Sequence, residues 1–153
     1  MEFLMTYGWA ILVVLVVIGA LAYFGILNPE NFLPRRCILG AEISCVDWIL
    51  QADGKFTVRL GNGIANRITI QEVALDDTGF KNQIGACNVV GTPIDTLNPG
   101  QQTQALVVIT CTPPAGPLTI GSSIRGYITV KYTDTVTSFP HQVQGDFVTK
   151  VEP

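Results

Sequence analysis

Hydrophobic and polar positions divide the chain near residue 27. From Phe3 to Leu27 (FLMTYGWAILVVLVVIGALAYFGIL) no residue carries a formal charge. Leu, Val, Ile, Phe and Ala fall on every side of a helical wheel rather than on one stripe, and a helix apolar all round resides in lipid or in a wholly buried core. The pattern predicts one helix over Met1–Leu27. About 25 helical residues span roughly 38 Å, more than the roughly 30 Å hydrocarbon core of a bilayer. Pro29 disfavours a helical Asn28, so Asn28-Pro29 is the predicted stop.

Beyond the apolar run the period changes from helical to two. In Lys55–Leu60 (KFTVRL), Phe56, Val58 and Leu60 alternate with Lys55, Thr57 and Arg59, the pattern of a half-buried strand. Ala52-Asp53-Gly54 separates it from Val46–Gln51 as a hairpin signal. Gly61-Asn62-Gly63 reads as the next turn, followed by strands over Arg67–Leu75 and Gln83–Val90. Leu97–Gly100 (LNPG) is a strong turn, and Pro113–Pro117 is a loop. Strands follow over Gln104–Cys111, Ser123–Thr133 and Gln142–Val151. Short strands separated by turns predict an antiparallel, immunoglobulin-like sandwich. The expected class is α+β: helix 1–27, a neck over 28–36 and an all-β head over 37–153. Asn28–Arg36 (NPENFLPRR), with two prolines, reads as the hinge between them.

Composition sharpens the picture in two places. The chain of 153 residues has 12 acidic and 9 basic residues, and every Lys and Arg lies from Arg35 onward. With no basic patch, nucleic acid is not an expected partner. The four cysteines, Cys37, Cys45, Cys87 and Cys111, all follow the apolar run. An even count in an outward-facing segment predicts two disulfides, with three pairings possible. The nearest-neighbour pairing, Cys37–Cys45 and Cys87–Cys111, is favoured because each bond then closes a local loop. No CxxC spacing supports zinc, and His141 is the only histidine.

The apolar run is too long for a secretory signal and lacks a basic n-region. A leader removed upstream, or a sequence that starts inside the mature chain, is therefore expected. Arg35 and Arg36 lie just past the run. Basic residues there would mark the cytoplasmic side of a plain anchor, on the same side as the disulfides, so the orienting positive charge is expected in the missing leader.

Candidate chemistry is sparse. Ser138, His141 and Asp146 can be named as a trio, but no Gly-x-Ser-x-Gly elbow accompanies them. A blue-copper site needs two histidines and a cysteine. Asp76-Asp77 before Thr78-Gly79 reads as a solvated turn ahead of a calcium site. The chain is read as a non-enzyme with no cofactor and no metal. Glu2 is the one ionisable residue beside the run, at a helix N-terminus where a carboxylate is favoured.

Met1–Leu27 followed by NPENFLPRRC resembles the N-terminal segment of archaeal type IV pilins, the Glu2-Phe3 pair ahead of a long uncharged run being its most specific piece. The likeness covers roughly residues 1–37 closely and the rest by architecture. It implies a class III signal sequence cleaved by a prepilin peptidase, membrane residence before assembly, and a helical homopolymer on the cell surface, built with the pilus assembly machinery. The helices would pack as the filament core and the β-heads would form an adhesive sheath. The resemblance assigns Glu2 and Phe3 to subunit assembly. In the wider family the glutamate lies a few residues further into the mature chain, so a few residues are expected before Met1, or different processing. Val14 and Val17, mid-run, are expected in the packed core. An archaellum subunit and a monomeric, membrane-anchored extracytoplasmic binding domain are the competing readings.

Overall fold

The computed structural model describes residues 2–25, 33–80, 82–90, 93–104 and 106–153. The chain forms two compact units, Met1–Leu33 and Pro34–Pro153.

The first unit carries α1 (Glu2–Tyr23), 22 residues long. At 1.5 Å per residue this is about 33 Å. The segment Met5–Tyr23 is long and apolar enough to cross a membrane, and none of it is buried. The helix ends four residues before the expected Leu27. The Phe24 N–H still donates to Ala20, but the Gly25 N–H donates to Ala22, a tightened last turn. Gly25 has φ +68°, the left-handed conformation that glycine adopts past a helix end without steric cost. Glycine rather than Pro29 therefore stops the helix. Residues 28–32, most of the expected neck, lie outside the described residues.

The second unit is all β, so the chain is α+β, as expected. Its strands are β1 (Arg36–Ile38), β2 (Ile43–Gln51), β3 (Lys55–Asn62), β4 (Ile68–Asp76), β5 (Ala86–Cys87), β6 (Asp95–Leu97), β7 (Val107–Thr112), β8 (Ser123–Asp134) and β9 (Pro140–Glu152). They form one nine-stranded sheet in the order β5-β7-β3-β2-β9-β8-β4-β6, with β1 added beside β9. All pairings are antiparallel except β2 with β9, which run parallel through Leu50–Val151 and Gln51–Glu152. The sheet curls into a half-barrel. Its ends approach one another: Val90, just past β5, exchanges two 3.2 Å backbone hydrogen bonds with Val73 of β4.

Alternation explains the core. In β3, Phe56, Val58 and Leu60 point inward while Lys55, Thr57 and Arg59 point outward. In β8 the buried set is Ile124, Ile128, Val130 and Tyr132. Phe56 and Phe147 of β9 meet across the intervening β2, with ring centroids 5.0 Å apart and neither side chain exposed. Gly54, at φ +86°, turns β2 into β3 at the expected hairpin.

Two local expectations are corrected. Gly61-Asn62 is not a turn but the end of β3. Asn62 is buried and donates through Nδ2 to the carbonyls of Asn66 (2.8 Å) and Leu97 (3.2 Å), which fixes the end of the strand. A Cβ at Gly61 would sit 2.7 Å from Ser44 Oγ, so glycine marks close strand approach. The stretch 83–90 is strand only over Ala86–Cys87. The disulfide-closed loop from Cys37 to Cys45 is present, with Cys37 in β1 and Cys45 in β2.

Both expected disulfides are present, Cys37–Cys45 and Cys87–Cys111, and no described cysteine is free. Cys87 and Cys111 are direct register partners on β5 and β7. Sequence separations of 8 and 24 residues correspond to loop-closure stabilisations of about 2.5 and about 3.4 kcal/mol. Cys111 also packs in the core. Replacing Cys87 and Cys111 by Ser is therefore expected to lower the denaturation midpoint more than replacing Cys37 and Cys45. The opposite order in a denaturant titration would contradict the loop argument.

Candidate assembly site: the apolar helix and the N-terminal clamp

The sequence-predicted assembly residues lie on α1. Glu2 is its first residue, and Phe3, 78% exposed, stacks on Tyr7 one turn later, ring centroids 5.8 Å apart. Thr6 donates to the Glu2 backbone carbonyl at 2.9 Å, so the first turn is locked while the Glu2 carboxylate stays exposed. Val14 and Val17 are about half exposed, near the helix centre. Tyr7, Ala10, Ile11, Val14 and Leu15 line a shallow groove of about 370 Å³. Positions 7, 10, 14 and 17 follow the i, i+3, i+7, i+10 spacing that places side chains on one face. A Cβ added at Gly8 or Gly19 would meet nothing within 4 Å, so both leave dents open to a neighbouring helix. Phe3, Tyr7, Trp9, Ile11, Leu12 and Leu15 are all more than half exposed. A continuous apolar surface of this extent marks an interaction site with protein or membrane.

The second feature is where the chain enters the head. Arg35 Nη1 pairs with Glu152 Oε1 at 3.0 Å, its Nη2 donates to the Trp48 carbonyl, and its guanidinium lies 5.6 Å from the Trp48 ring centroid. Arg36 Nη2 pairs with Asp146 Oδ2 at 2.7 Å. Cys37 is then bonded to Cys45. Three consecutive residues thus fasten the short strand β1 to β9 and β2. The basic pair just past the apolar run is engaged by the head's own carboxylates. The strands lie close: a Cβ on Gly145 would collide with the Ile38 carbonyl oxygen, so only glycine permits β1 to lie on β9 here.

Residues between β1 and β2 are tied down by a separate link. The buried Tyr132 hydroxyl donates to Glu42 Oε2 at 2.6 Å, and the His141 ring stacks on Tyr132 at 5.3 Å. Burial, then the Glu42 hydrogen bond and charge, with Asp134 adding to them, raise the phenol well above its ordinary pKa near 10. A proton held more tightly in the folded chain than in the unfolded one contributes stability that is whole below about pH 10 and is lost as pH rises beyond it. The thermal midpoint is expected to fall between about pH 10 and 12, and the fall should flatten in Tyr132→Phe. Identical alkaline profiles for both proteins would refute this.

The remaining candidates are engaged elsewhere. Ser138 N–H donates to the Asp134 carbonyl, Asp146 holds Arg36, and His141 lies on Tyr132, so the trio shares no hydrogen bond among the described residues. Asp76 Oδ1 accepts from the Thr78 N–H at 2.8 Å, and Asp77 Oδ2 from the Ile84 N–H at 2.8 Å, both serving the turn. Among the described residues no group of three or more His, Cys, Asp and Glu could hold a metal ion.

The two arginine ion pairs of the clamp and the Tyr132–Glu42 link escaped the sequence reading, whereas the Cys37–Cys45 bond was expected. Their partners are more than 85 residues apart in every case but Arg35–Trp48 and Cys37–Cys45. The only local signal is the charge pair in front of the first cysteine. No protein-family model matches the chain, and no curated protein sequence matches it.

Proposed function

We propose that this chain is a structural subunit of an extracellular type IV pilus-like filament. The observation that carries the reading is the span Met5–Tyr23: long and apolar enough to cross a membrane, without a buried residue, and fused to a separately compact, disulfide-bonded β-unit. A helix satisfies its own backbone hydrogen bonds, so the same rod is stable in lipid before assembly and among neighbouring rods afterwards. Transfer from lipid to a helix bundle gains little hydrophobic energy. Packing of small residues and contacts between heads must then drive assembly. A heterologous contact that does not close produces an open filament.

The head would form an adhesive outer sheath, and two disulfides suit it to an oxidising exterior. We read the curled sheet as an opened immunoglobulin-like sandwich, with β1-β9-β8-β4-β6 as one layer and β2-β3-β7-β5 as the other. The prepilin peptidase and the pilus assembly machinery are the partners implied by the likeness of residues 1–37. Electron microscopy of sheared cell-surface material is expected to show filaments containing this chain. Recovery only with membranes, never with filaments, would favour a monomeric anchored domain and end the pilin reading.

A further inference from the structure

Arg59 stands apart from the other cations of the head. Among the described residues every other arginine and lysine has a partner. Arg35 and Arg36 are in ion pairs, as are Lys55 with Asp53 and Lys131 with Glu72. Arg67 donates to Asn98, Arg125 lies over the Phe80 ring, and Lys150 is also engaged. Arg59 has no hydrogen bond, ion pair or ring contact among the described residues, and its Nε is fully buried with no acceptor. An orphaned buried donor on a charged group is costly unless something outside the chain satisfies it.

Its surroundings suit a contact. Arg59 sits on the outer face of β3, between Asp47 of β2 and the chain just before β7. Asp47, its register partner, turns its Oδ1 back to the Trp48 N–H at 2.9 Å instead of pairing with Arg59. Arg59 lines a cleft of about 180 Å³ with Asp47, Trp48, Ile49, Thr57 and Leu106. Leu106 is 53% exposed and Val108 41%. The result is a polar socket, the Arg59 guanidinium beside the Asp47 carboxylate, with an apolar rim, the layout of an anchor position in a protein interface.

Complementary charge lies on strands that do not pair with β3. Asp76 ends β4 and Asp95 begins β6. Neither carboxylate has a cationic partner among the described residues. Asp76 is exposed and takes the Thr78 N–H, while Asp95 takes the N–H groups of Thr96 and Gln104.

We infer that Arg59 docks a carboxylate of a second copy of this chain, supplied by the β4-β6 end of that copy's sheet through Asp76 or Asp95. Such a contact joins two different surfaces of the head, so it is heterologous, and a heterologous contact that does not close extends into a filament. It rests on the assembly reading above and adds which head surfaces meet.

The experiment uses filaments of the full chain. Arg59→Glu is expected to raise the subunit concentration needed for assembly by about tenfold or more, through about 1.4 kcal/mol per tenfold. Arg59→Gln, which sets no like charge opposite Asp47, should also weaken assembly and leave the head's melting midpoint within about 2 °C of the parent. Adding Asp76→Lys or Asp95→Lys to Arg59→Glu should restore assembly. Parent-like assembly of Arg59→Glu would overturn the inference, as would loss of assembly that neither lysine restores, which would point to a partner other than this chain. If the parent chain itself never forms filaments, the assembly reading fails, a result distinct from either of these.

Discussion

If the chain assembles as proposed, cells carrying Val14→Lys are expected to yield no filaments containing this subunit, while Val14→Leu filaments form normally. Val14 lies near the middle of α1 and is about half exposed on the isolated chain. In lipid a lysine at the centre of a spanning helix costs about 2.5–3.5 kcal/mol on insertion scales. In a helix bundle the ammonium would be surrounded by the apolar faces of its neighbours, with no carboxylate mid-rod to pair with: the only acidic residue of the helix is Glu2, about three turns away along a sequence without charge. An unpaired buried charge is more costly than an insertion scale records. The cost recurs at every subunit, so a helical polymer cannot dilute it. Membrane fractions and sheared filaments should be assayed together. Val14→Lys recovered in filaments of parental length and number would remove the buried-rod description of α1. Absence from filaments with normal membrane recovery would place the loss at assembly rather than insertion.

The head should lose about 3–5 kcal/mol of stability in Phe147→Ala, the range for an aromatic deleted from a packed core. Against a total of about 5–15 kcal/mol for a domain, that is enough to leave a marginal fold partly open at growth temperature. Phe147 is fully buried, and it touches Phe56 across a strand that separates them in the sheet. The pair is thus a tie across the curl rather than along it. Phe56→Ala should cost a similar amount. The double variant should cost less than the two singles together, by about 0.5–1.5 kcal/mol, the usual coupling of an aromatic pair. Strict additivity in chemical denaturation would mean that the rings contribute only by volume. The disulfides would still hold β1 to β2 and β5 to β7 in such variants, so residual structure should persist near the four cysteines.

Much of this architecture was legible because burial imposes a period. KFTVRL reads as a strand before any partner is known, since its alternation is local. The apolar helix reads from composition alone. The nearest-neighbour disulfides, one of three possible pairings and the one favoured for closing local loops, are the pairs present. What escaped the sequence was short or paired at long range. β1 and β6 have three residues each, too few to display any period. β1 exists because β9, more than 100 residues later, offers it an edge and a glycine at 145. Gly61-Asn62-Gly63 looks like a turn, yet Asn62 is captured by Leu97, a partner that local reading does not contain. Arg59 reads as an ordinary outward residue of β3. Its distinction, a buried guanidinium nitrogen with nothing to bond, emerges only when every neighbour has been placed.

The clamp at Arg35, Arg36 and Cys37 has a mechanical consequence. A pull on α1 reaches the head through Pro34, and the first element it meets is the three-residue strand β1. Hydrogen bonds of so short a strand would unzip one after another under load. The bond from Cys37 to Cys45 passes the force at once into β2, which lies between β3 and β9 in the sheet. The two ion pairs share it with β9, at Asp146 and Glu152. In the proposed filament, tension would therefore be delivered to the interior of the sheet and spread over several strands, and the head would resist peeling from its first residue.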